Sequence, residues 1–410
     1  MNNTYDVAVL GLGVAGSFAC YKFAKDHKNI RVIGFDLGRP PMKRRRQLEG
    51  WLGCLPNSDG KLYTNDVSNV SELTGMRKAK AAYNYFDRVL SNINDFKVIK
   101  DRSPSISVEK RLRKHGYQLT LNDYVQIYPK DIHALSKYMA EVIENQKNVT
   151  FSFDNEVKEI FKYKGGFTIK TEENTYNCKK LIIAVGRSGW RWASELYAKF
   201  DIVDNNDFAH FGIRIEMNSS TMKDFNKSSC SFSKDNIEVG PLSWFGTVIP
   251  EDHLDVAISA FRSNENRWKS DKVSFNLIGK IPSILLGDLV PNRGFEETDR
   301  VGKLTFVLAN DRIIRERVAH ILTGKSKISI IPEYHWLGNS IKQLAEVIPE
   351  VAVKAYYHVP TILPFAPSIN IGANLETEIE GMFVAGESAG VHGILGAGTM
   401  GVIAADAVCK

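Results

Sequence analysis

The stretch Tyr5-Asp6-Val7-Ala8-Val9-Leu10-Gly11-Leu12-Gly13-Val14-Ala15-Gly16, closed by Val32-Ile33-Gly34-Phe35-Asp36, decides how the chain is read. Val7 to Leu10 is an apolar, β-branched-rich run of the kind found in buried parallel strands, and Gly11, Gly13 and Gly16 follow it at G-x-G-x-x-G spacing. Each glycine has its own task. Gly11 permits a tight turn, Gly13 lets backbone N–H groups approach a pyrophosphate, and Gly16 lets the next helix lie against the strand. The spacing predicts a helix over Ser17 to Lys25 whose positive N-terminal end points at phosphates, and a second strand over Ile30 to Phe35. That strand delivers Asp36, twenty residues after Gly16, where a carboxylate would accept hydrogen bonds from a ribose diol. Strand, turn, helix, strand and acid in this order point to dinucleotide binding. The bland alternative is a glycine-rich βα turn that binds nothing.

Composition frames that reading. At 410 residues two domains are the natural expectation, and 43% hydrophobic with 24% charged residues is ordinary for a soluble globular enzyme. No basic residue precedes the apolar run from Val7 to Ala24, which argues against a secretory signal. Gly381 to Val408 is interrupted by Glu387, His392 and Asp406, which argues against a membrane span. A cytoplasmic protein is expected. Its five cysteines (Cys20, Cys54, Cys178, Cys230, Cys409) form no C-x-x-C pair, so neither a disulfide framework nor a metal site is expected. The net charge of +6 suits an anionic substrate or nucleic acid, and equally a mildly basic surface.

Outward from the opening stretch, Pro40 and Pro41 impose a loop that restarts as a helix near Arg44, within the basic run Lys43 to Arg46. The run leaves the carboxyl end of the second strand, so one arginine, Arg44, is placed to neutralise a pyrophosphate. Trp51 to Thr64 reads as an ordered loop, Val67 to Val98 as largely helical, and Arg102 to Val125 as strand-like. Pro129-Lys130-Asp131 opens an amphipathic helix with Ile132, Leu135, Met139, Val142 and Ile143 on its buried stripe. Val149 to Phe153, Val157 to Tyr163 and Phe167 to Thr171 read as a β-meander leading into a buried strand that ends at Val185-Gly186. Ile202 to about Pro360 reads as a second, largely β domain, with Phe211 to Glu216 and Leu254 to Phe261 its clearest strands. Gly381 to Gly386 is a last buried strand, Glu387 to Gly398 a glycine-rich turn, and Thr399 to Val408 a closing helix.

Three strand-to-glycine junctions (Leu10-Gly11, Val185-Gly186, Ala385-Gly386) thus fall at the start, middle and end of the chain. In a doubly wound sheet such junctions cluster where ligands bind. With the acid after the second strand, the β-meander crossover and Gly381-Met-Phe-Val-Ala-Gly386-Glu387, the chain resembles the glutathione-reductase-type FAD flavoproteins. Gly38-Arg39-Pro40, Ser58-Asp59-Gly60-Lys61-Leu62, Phe211 to Glu216 and Gly386-Glu387-Ser388-Ala389-Gly390 are similar to a little-characterised family of FAD-dependent dehydrogenases, also described as NAD(P)/FAD-dependent oxidoreductases. Against that pattern the chain carries Asp36 where glutamate is usual and His392 where a small residue is usual.

The resemblance implies an α/β fold: a Rossmann-like FAD-binding domain, with a parallel sheet and β-meander crossover, built from residues 1–85, 129–200 and 361–410. A largely β substrate domain (86–128 and 201–360) is inserted. It implies FAD contacts at Gly11, Gly13, Val14, Ala15, Gly16, Asp36, Leu37, Arg44, Val157, Ala184, Gly186, Gly386, Glu387, Gly393 and Ile394, with Glu387 on the ribityl chain. No second strand-G-x-G-x-x-G unit is present, so NAD(P)H would bind transiently on the flavin face or not at all. Cys54 has no neighbouring cysteine for a redox disulfide, and is either a single flavin-facing thiol or a packed small residue.

Flavin chemistry asks the protein for positioning groups and an acid or base. His392 is the first candidate for proton exchange, or else it satisfies a turn carbonyl. Lys61 would hydrogen-bond the flavin or an anionic substrate, and Arg214 is either a carboxylate clamp or an exposed strand charge. Trp244, His253, Arg262, His335 and Trp336 would line a pocket or fill the core. The function expected is an FAD-dependent oxidoreductase, a dehydrogenase or reductase moving a hydride between flavin and a small organic substrate. Two alternatives stand beside it: a flavin-dependent nucleic-acid-modifying enzyme, from the basic runs Lys43–Arg46 and Arg111–Lys114, and a non-catalytic FAD-binding redox sensor.

Overall fold

A computed structural model describes residues 3–41, 43–44, 48–202, 208–253, 256–262, 270–282, 285, 294–363 and 369–410, with backbone alone at 252–253 and 256–262. Leu254, and the side chains of His253 and Arg262, therefore lie outside the described residues, as do Arg45 and Arg46. The chain divides into two units, one of residues 1–97, 125–205 and 365–410, the other of residues 98–124 and 206–364. Residues 86–97 and 125–128, expected in the inserted domain, belong to the first unit.

The first unit opens with β1 (Thr4–Leu10), α1 (Val14–Asp26) and β2 (Val32–Phe35). It continues through β3 (Lys61–Tyr63), α2 (Asp66–Thr74), α3 (Met76–Ser91) and α4 (Pro129–Gln146). Then come β4 (Val149–Ser152), β5 (Glu159–Tyr163), β6 (Gly166–Lys170), β7 (Thr175–Ile183) and α5 (Trp190–Lys199). The unit closes with β8 (Met382–Val384) and α6 (Ile394–Val408). The five parallel strands lie in the order β4-β2-β1-β7-β8. In chain order this is 3-2-1-4-5, the doubly wound Rossmann arrangement, and the order reverses between β1 and β7.

β7 divides its pairing by composition. Its half-exposed first part, Thr175 to Cys178, pairs antiparallel with β6, while the fully buried Leu181 to Ile183 pairs parallel with β8. The antiparallel layer is β5-β6-β7. Val149–Phe153, expected in that meander, instead supplies β4, pairing parallel with β2 through Val32↔Val149 to Phe35↔Ser152. The helix predicted from Thr399 begins five residues earlier, at Ile394, because Leu395, Gly396 and Gly398 to Val402 are apolar or small enough to be buried. Residues 43–44 and 48–50 are not helical, so the helical restart near Arg44 is not found among the described residues there.

The second unit is built on a mixed-length antiparallel sheet whose centre is Phe208–Asn218 paired with Lys272–Pro282 over Phe208↔Pro282 to Asn218↔Lys272. Two-residue periodicity sends Phe211, Ile213, Ile215 and Met217 into the core, and His210, Arg214 and Glu216 to the opposite face. Two expectations are corrected. Arg102 to Val125 contains the helix Ile106–Lys114, because Ser105 caps it by accepting the Val108 N–H and because Val108 and Leu112 share a buried face. The unit is also less purely β than expected: Gly294–Leu308 and Trp336–Ala345 are helices, with Thr298, Val301 and Thr305 or Leu337, Ile341 and Leu344 buried at helical spacing. Trp244 and Trp336 are structural. The Trp244 indole donates to the Ser228 carbonyl at 2.6 Å, and Trp336 packs on Phe211 at 6.3 Å between ring centroids. His335 precedes the helix Trp336–Ala345 without capping it by its side chain, and its Nε2 lies 3.4 Å from the Ser329 carbonyl.

Candidate functional site

The three strand-to-glycine junctions meet at the carboxyl ends of β1, β7 and β8, where the strand order reverses, and backbone hydrogen bonds tie them together. Ala184 N–H donates to the Leu10 carbonyl at 2.7 Å, and Ala385 N–H to Ile183 at 2.9 Å. Gly186 N–H donates to Ser388 Oγ at 3.0 Å. Gly11 turns at φ +87°, and a Cβ there would stand 2.5 Å from the Ala184 oxygen; at Gly16 it would stand 1.8 Å from the Gly11 oxygen. Both positions demand glycine. The expected close packing of helix on strand is thereby realised.

α1 starts after Gly13 with no side chain capping it, so the N–H groups of Val14, Ala15 and Gly16 are left for a ligand or water. Beside this end, Leu52 N–H donates to the Leu12 carbonyl at 2.9 Å, and Gly53 stands against Gly13. Arg44 reaches into the same neighbourhood, its Nη1 donating to the Trp51 carbonyl at 2.7 Å. Cys54 lies beside Arg44, and all five cysteines are unbridged. A helix N-terminus, two glycines and an arginine are thus brought together, the arrangement a diphosphate site asks for.

Asp36 stands directly after β2, and its carboxylate accepts three backbone N–H groups. Its Oδ2 accepts Leu12 N–H at 2.6 Å, and its Oδ1 accepts Gly38 N–H at 2.7 Å and Gly50 N–H at 2.8 Å. Burial pushes its pKa up, against those three N–H groups and the Arg44 charge, which pull it down. These bonds hold the glycine turn and the 50–53 loop and occupy three of the carboxylate's roughly four acceptor positions. At 8% exposure the group faces inward, while its neighbour Leu37 is half exposed. Val157 is buried, and its carbonyl accepts the Trp192 indole N–H at 2.8 Å.

At the other end of the site Glu387 follows Gly386, whose φ is +71°. Arg187 Nη2 donates to Glu387 Oε1 at 3.1 Å, and His392 Nδ1 lies 3.6 Å from the same oxygen. Burial pushes the Glu387 carboxyl up, but Arg187 and then His392 overbalance it and hold it well below the usual carboxylate range. His392 therefore faces an anion. Gly393, at φ +94°, caps α6, and Ile394 begins it.

Asp66, the first residue of α2, fills the end of α6. It accepts the Leu395 and Gly396 N–H groups, and a Cβ on Gly393 would fall 2.0 Å from its Oδ2. No local spacing announces this contact, since Asp66 stands just before the stretch from Val67 expected to be helical. Arg187, directly after the Gly186 junction, was legible in principle as a cation at a strand end.

Lys61 lies on β3, which packs beside α6. Its own N–H is held by Asp59 Oδ1 at 3.2 Å, and the Gln126 amide donates to the Asp59 carbonyl at 2.9 Å. Arg214 belongs to the second unit. It is half-buried rather than an exposed strand charge, and Nη1 donates to Ser274 Oγ at 3.3 Å. Two residues on, Glu216 receives His358 Nε2 at 3.0 Å and Arg315 Nη2 at 3.4 Å. Burial raises that carboxyl, and His358 and Arg315 bring it below its ordinary value. Among the described residues, no group of three or more His, Cys, Asp and Glu side chains could hold a metal, and no helix is long and apolar enough to cross a membrane.

No protein-family model matches the chain. An uncharacterized protein of Methanosarcina barkeri is 22% identical over 303 residues, 71% of this chain; the match spans 63% of that relative's length. Among solved structures, glycine oxidase from Geobacillus kaustophilus aligns over 99% of this chain and 95% of its own, at 14% identity and a TM-score of 0.45. The halogenase PltM, in complex with phloroglucinol and FAD, aligns over 97% of this chain and 67% of its own, at 11% identity and a TM-score of 0.44.

Proposed function

We propose that the chain is an FAD-dependent oxidoreductase that moves a hydride between the flavin and a small organic substrate, with the second unit supplying substrate recognition. The observation that carries this reading is the reversal of strand order between β1 and β7, with the glycine turns at Gly11, Gly186 and Gly386 gathered there beside an uncapped α1 N-terminus. When bound, FAD supplies the hydride chemistry. The chain's own residues do the rest. The N–H groups of Val14 to Gly16 and the Arg44 guanidinium neutralise the diphosphate. The Arg187–Glu387 pair fixes the turn between β8 and α6. His392, held toward the ionised Glu387, is placed to exchange a proton with the substrate, and Lys61 to bind an anionic group. In the second unit Arg214 is the residue offered to a substrate carboxylate. NAD(P)H, if it takes part, does so as a transient partner.

The test is an absorption spectrum of the purified protein with and without added FAD, followed by anaerobic reduction trials. A flavin spectrum that shifts on binding is expected; a colourless protein that binds no FAD refutes the proposal. His392→Ala is expected to slow reduction by substrate while FAD stays bound, and loss of FAD in that variant would make His392 structural instead.

A further inference from the structure

The N-termini of α1 and α6 are treated differently. α1 is left open, whereas the first N–H groups of α6, Leu395 and Gly396, are taken by the carboxylate of Asp66. The second oxygen of that carboxylate, Oδ2, is sealed from solvent and has no hydrogen-bond partner. Gly393 presses against it, having no side chain to hold it away. A buried carboxylate oxygen without a donor is costly if charged and costs little if protonated, because a proton on Oδ2 turns an orphan acceptor into a donor.

We propose that Asp66 is a proton-linked gatekeeper of the cofactor, charged in mildly alkaline solution when the site is empty and protonated when the electron-rich edge of a flavin ring stands at the α6 N-terminus. This rests on the FAD reading given above. The surroundings support it. α6 offers no titratable group before Asp406 at its far end, and β3 offers Lys61 and Tyr63. α3 carries Arg77, Lys78, Lys80, Tyr83, Tyr85, Asp87 and Arg88, and α2 carries Glu72. The turn before α6 brings Glu387 and His392, with Arg187 across from Glu387. Of these the Glu387 anion adds to burial in opposing a charge on Asp66, while the two N–H groups favour it; together they push its pKa up to about 7. A flavin edge of acceptors would compete for the N–H groups that favour the charge. It would also give the Oδ2 proton a partner.

FAD titration from pH 6 to pH 9 tests this, followed by fluorescence and by calorimetry in two buffers of different ionisation enthalpy. A single required proton makes the apparent Kd about tenfold weaker at pH 8 than at pH 6, and about tenfold weaker again at pH 9. The wild-type protein should take up close to one proton per FAD at pH 8 and close to none at pH 6. In Asp66→Asn, which keeps an acceptor for the N–H groups and carries no charge, Kd should not change over this range and proton uptake should vanish. FAD binding with a flat pH profile, or proton uptake that persists in Asp66→Asn, overturns the proposal and leaves the FAD reading standing. No FAD binding at any pH overturns both. The proton count in the wild-type protein decides the matter even if the variant does not fold.

Discussion

Replacing Arg187 by methionine keeps most of its apolar stem and removes the cation that holds Glu387. The two charges approach to 3.1 Å with side-chain exposures of 27% and 18%. Charge centres about 4 Å apart at an effective dielectric near 20 interact by roughly 4 kcal/mol, and partial solvent access cuts that by about half. Arg187→Met is therefore expected to cost about 2–3 kcal/mol at pH 7, since Glu387 is left with only the more distant His392. Its pH dependence is diagnostic. In the wild-type protein the Glu387 carboxyl ionises more readily folded than unfolded. The pair's contribution is thus complete above the unfolded carboxylate value of about 4.3, and is lost as pH falls from there toward the folded value. In the variant, burial without the cation pushes the carboxyl up, so it gains stability on protonation over the same descent. Urea unfolding followed by tryptophan fluorescence should show the deficit shrinking below about 1 kcal/mol at pH 4. Arg187→Met/Glu387→Gln should recover most of the loss, because breaking a buried pair is costly chiefly through the charge left behind. An equal deficit at pH 7 and pH 4, or strict additivity in the double variant, would refute the reasoning.

Gly16→Ala places a methyl group 1.8 Å from the Gly11 oxygen, so α1 must move off β1 by more than an ångström. A loss of about 2–3 kcal/mol by denaturation and a collapse of FAD binding are expected, whereas unchanged FAD affinity would sink the role given to the close approach. In the second unit Asp101 accepts Ser229 N–H at 2.7 Å, Asn122 N–H at 2.9 Å and the Ser228 hydroxyl at 3.1 Å. Asp101→Ala should cost about 2–3 kcal/mol in unfolding of that unit, and a change within 0.5 kcal/mol would show the network to be replaced by water.

What was legible in the sequence follows the range of the forces involved. The G-x-G-x-x-G turn, the strands ending at Gly11, Val185-Gly186 and Ala385-Gly386, and α4 with its apolar stripe are local patterns, and they appear where expected. β4 was misassigned because a short strand such as Val149–Ser152 looks alike whether its partner is the next hairpin strand or β2, far back in the chain. The helices after residue 293 were missed where buried threonines such as Thr298 and Thr305 interrupt the apolar stripe. At the site, Gly11, Gly13 and Gly16 announced themselves, and Glu387 stood in a recognisable turn. The inward use of Asp36 and the seat of Asp66 on α6 depend on chain segments meeting across the fold, which no local spacing encodes.

β7 is bounded on its far side by β8, whose residues 382–384 are made long after β1 at residues 4–10. At ribosomal rates of 5–20 residues per second, this delay is on the order of 20 to 75 s. From their own synthesis until β8 is made, on the order of 10 to 40 s, Leu181 to Ile183 present an uncovered parallel edge, and α1 waits for α6. The second unit, whose segments are made before β8, is under no such delay. The order of completion is thus inverted relative to the order of synthesis: the first unit is begun before the second and completed after it, and the nascent chain is most exposed to edge-to-edge association during that interval.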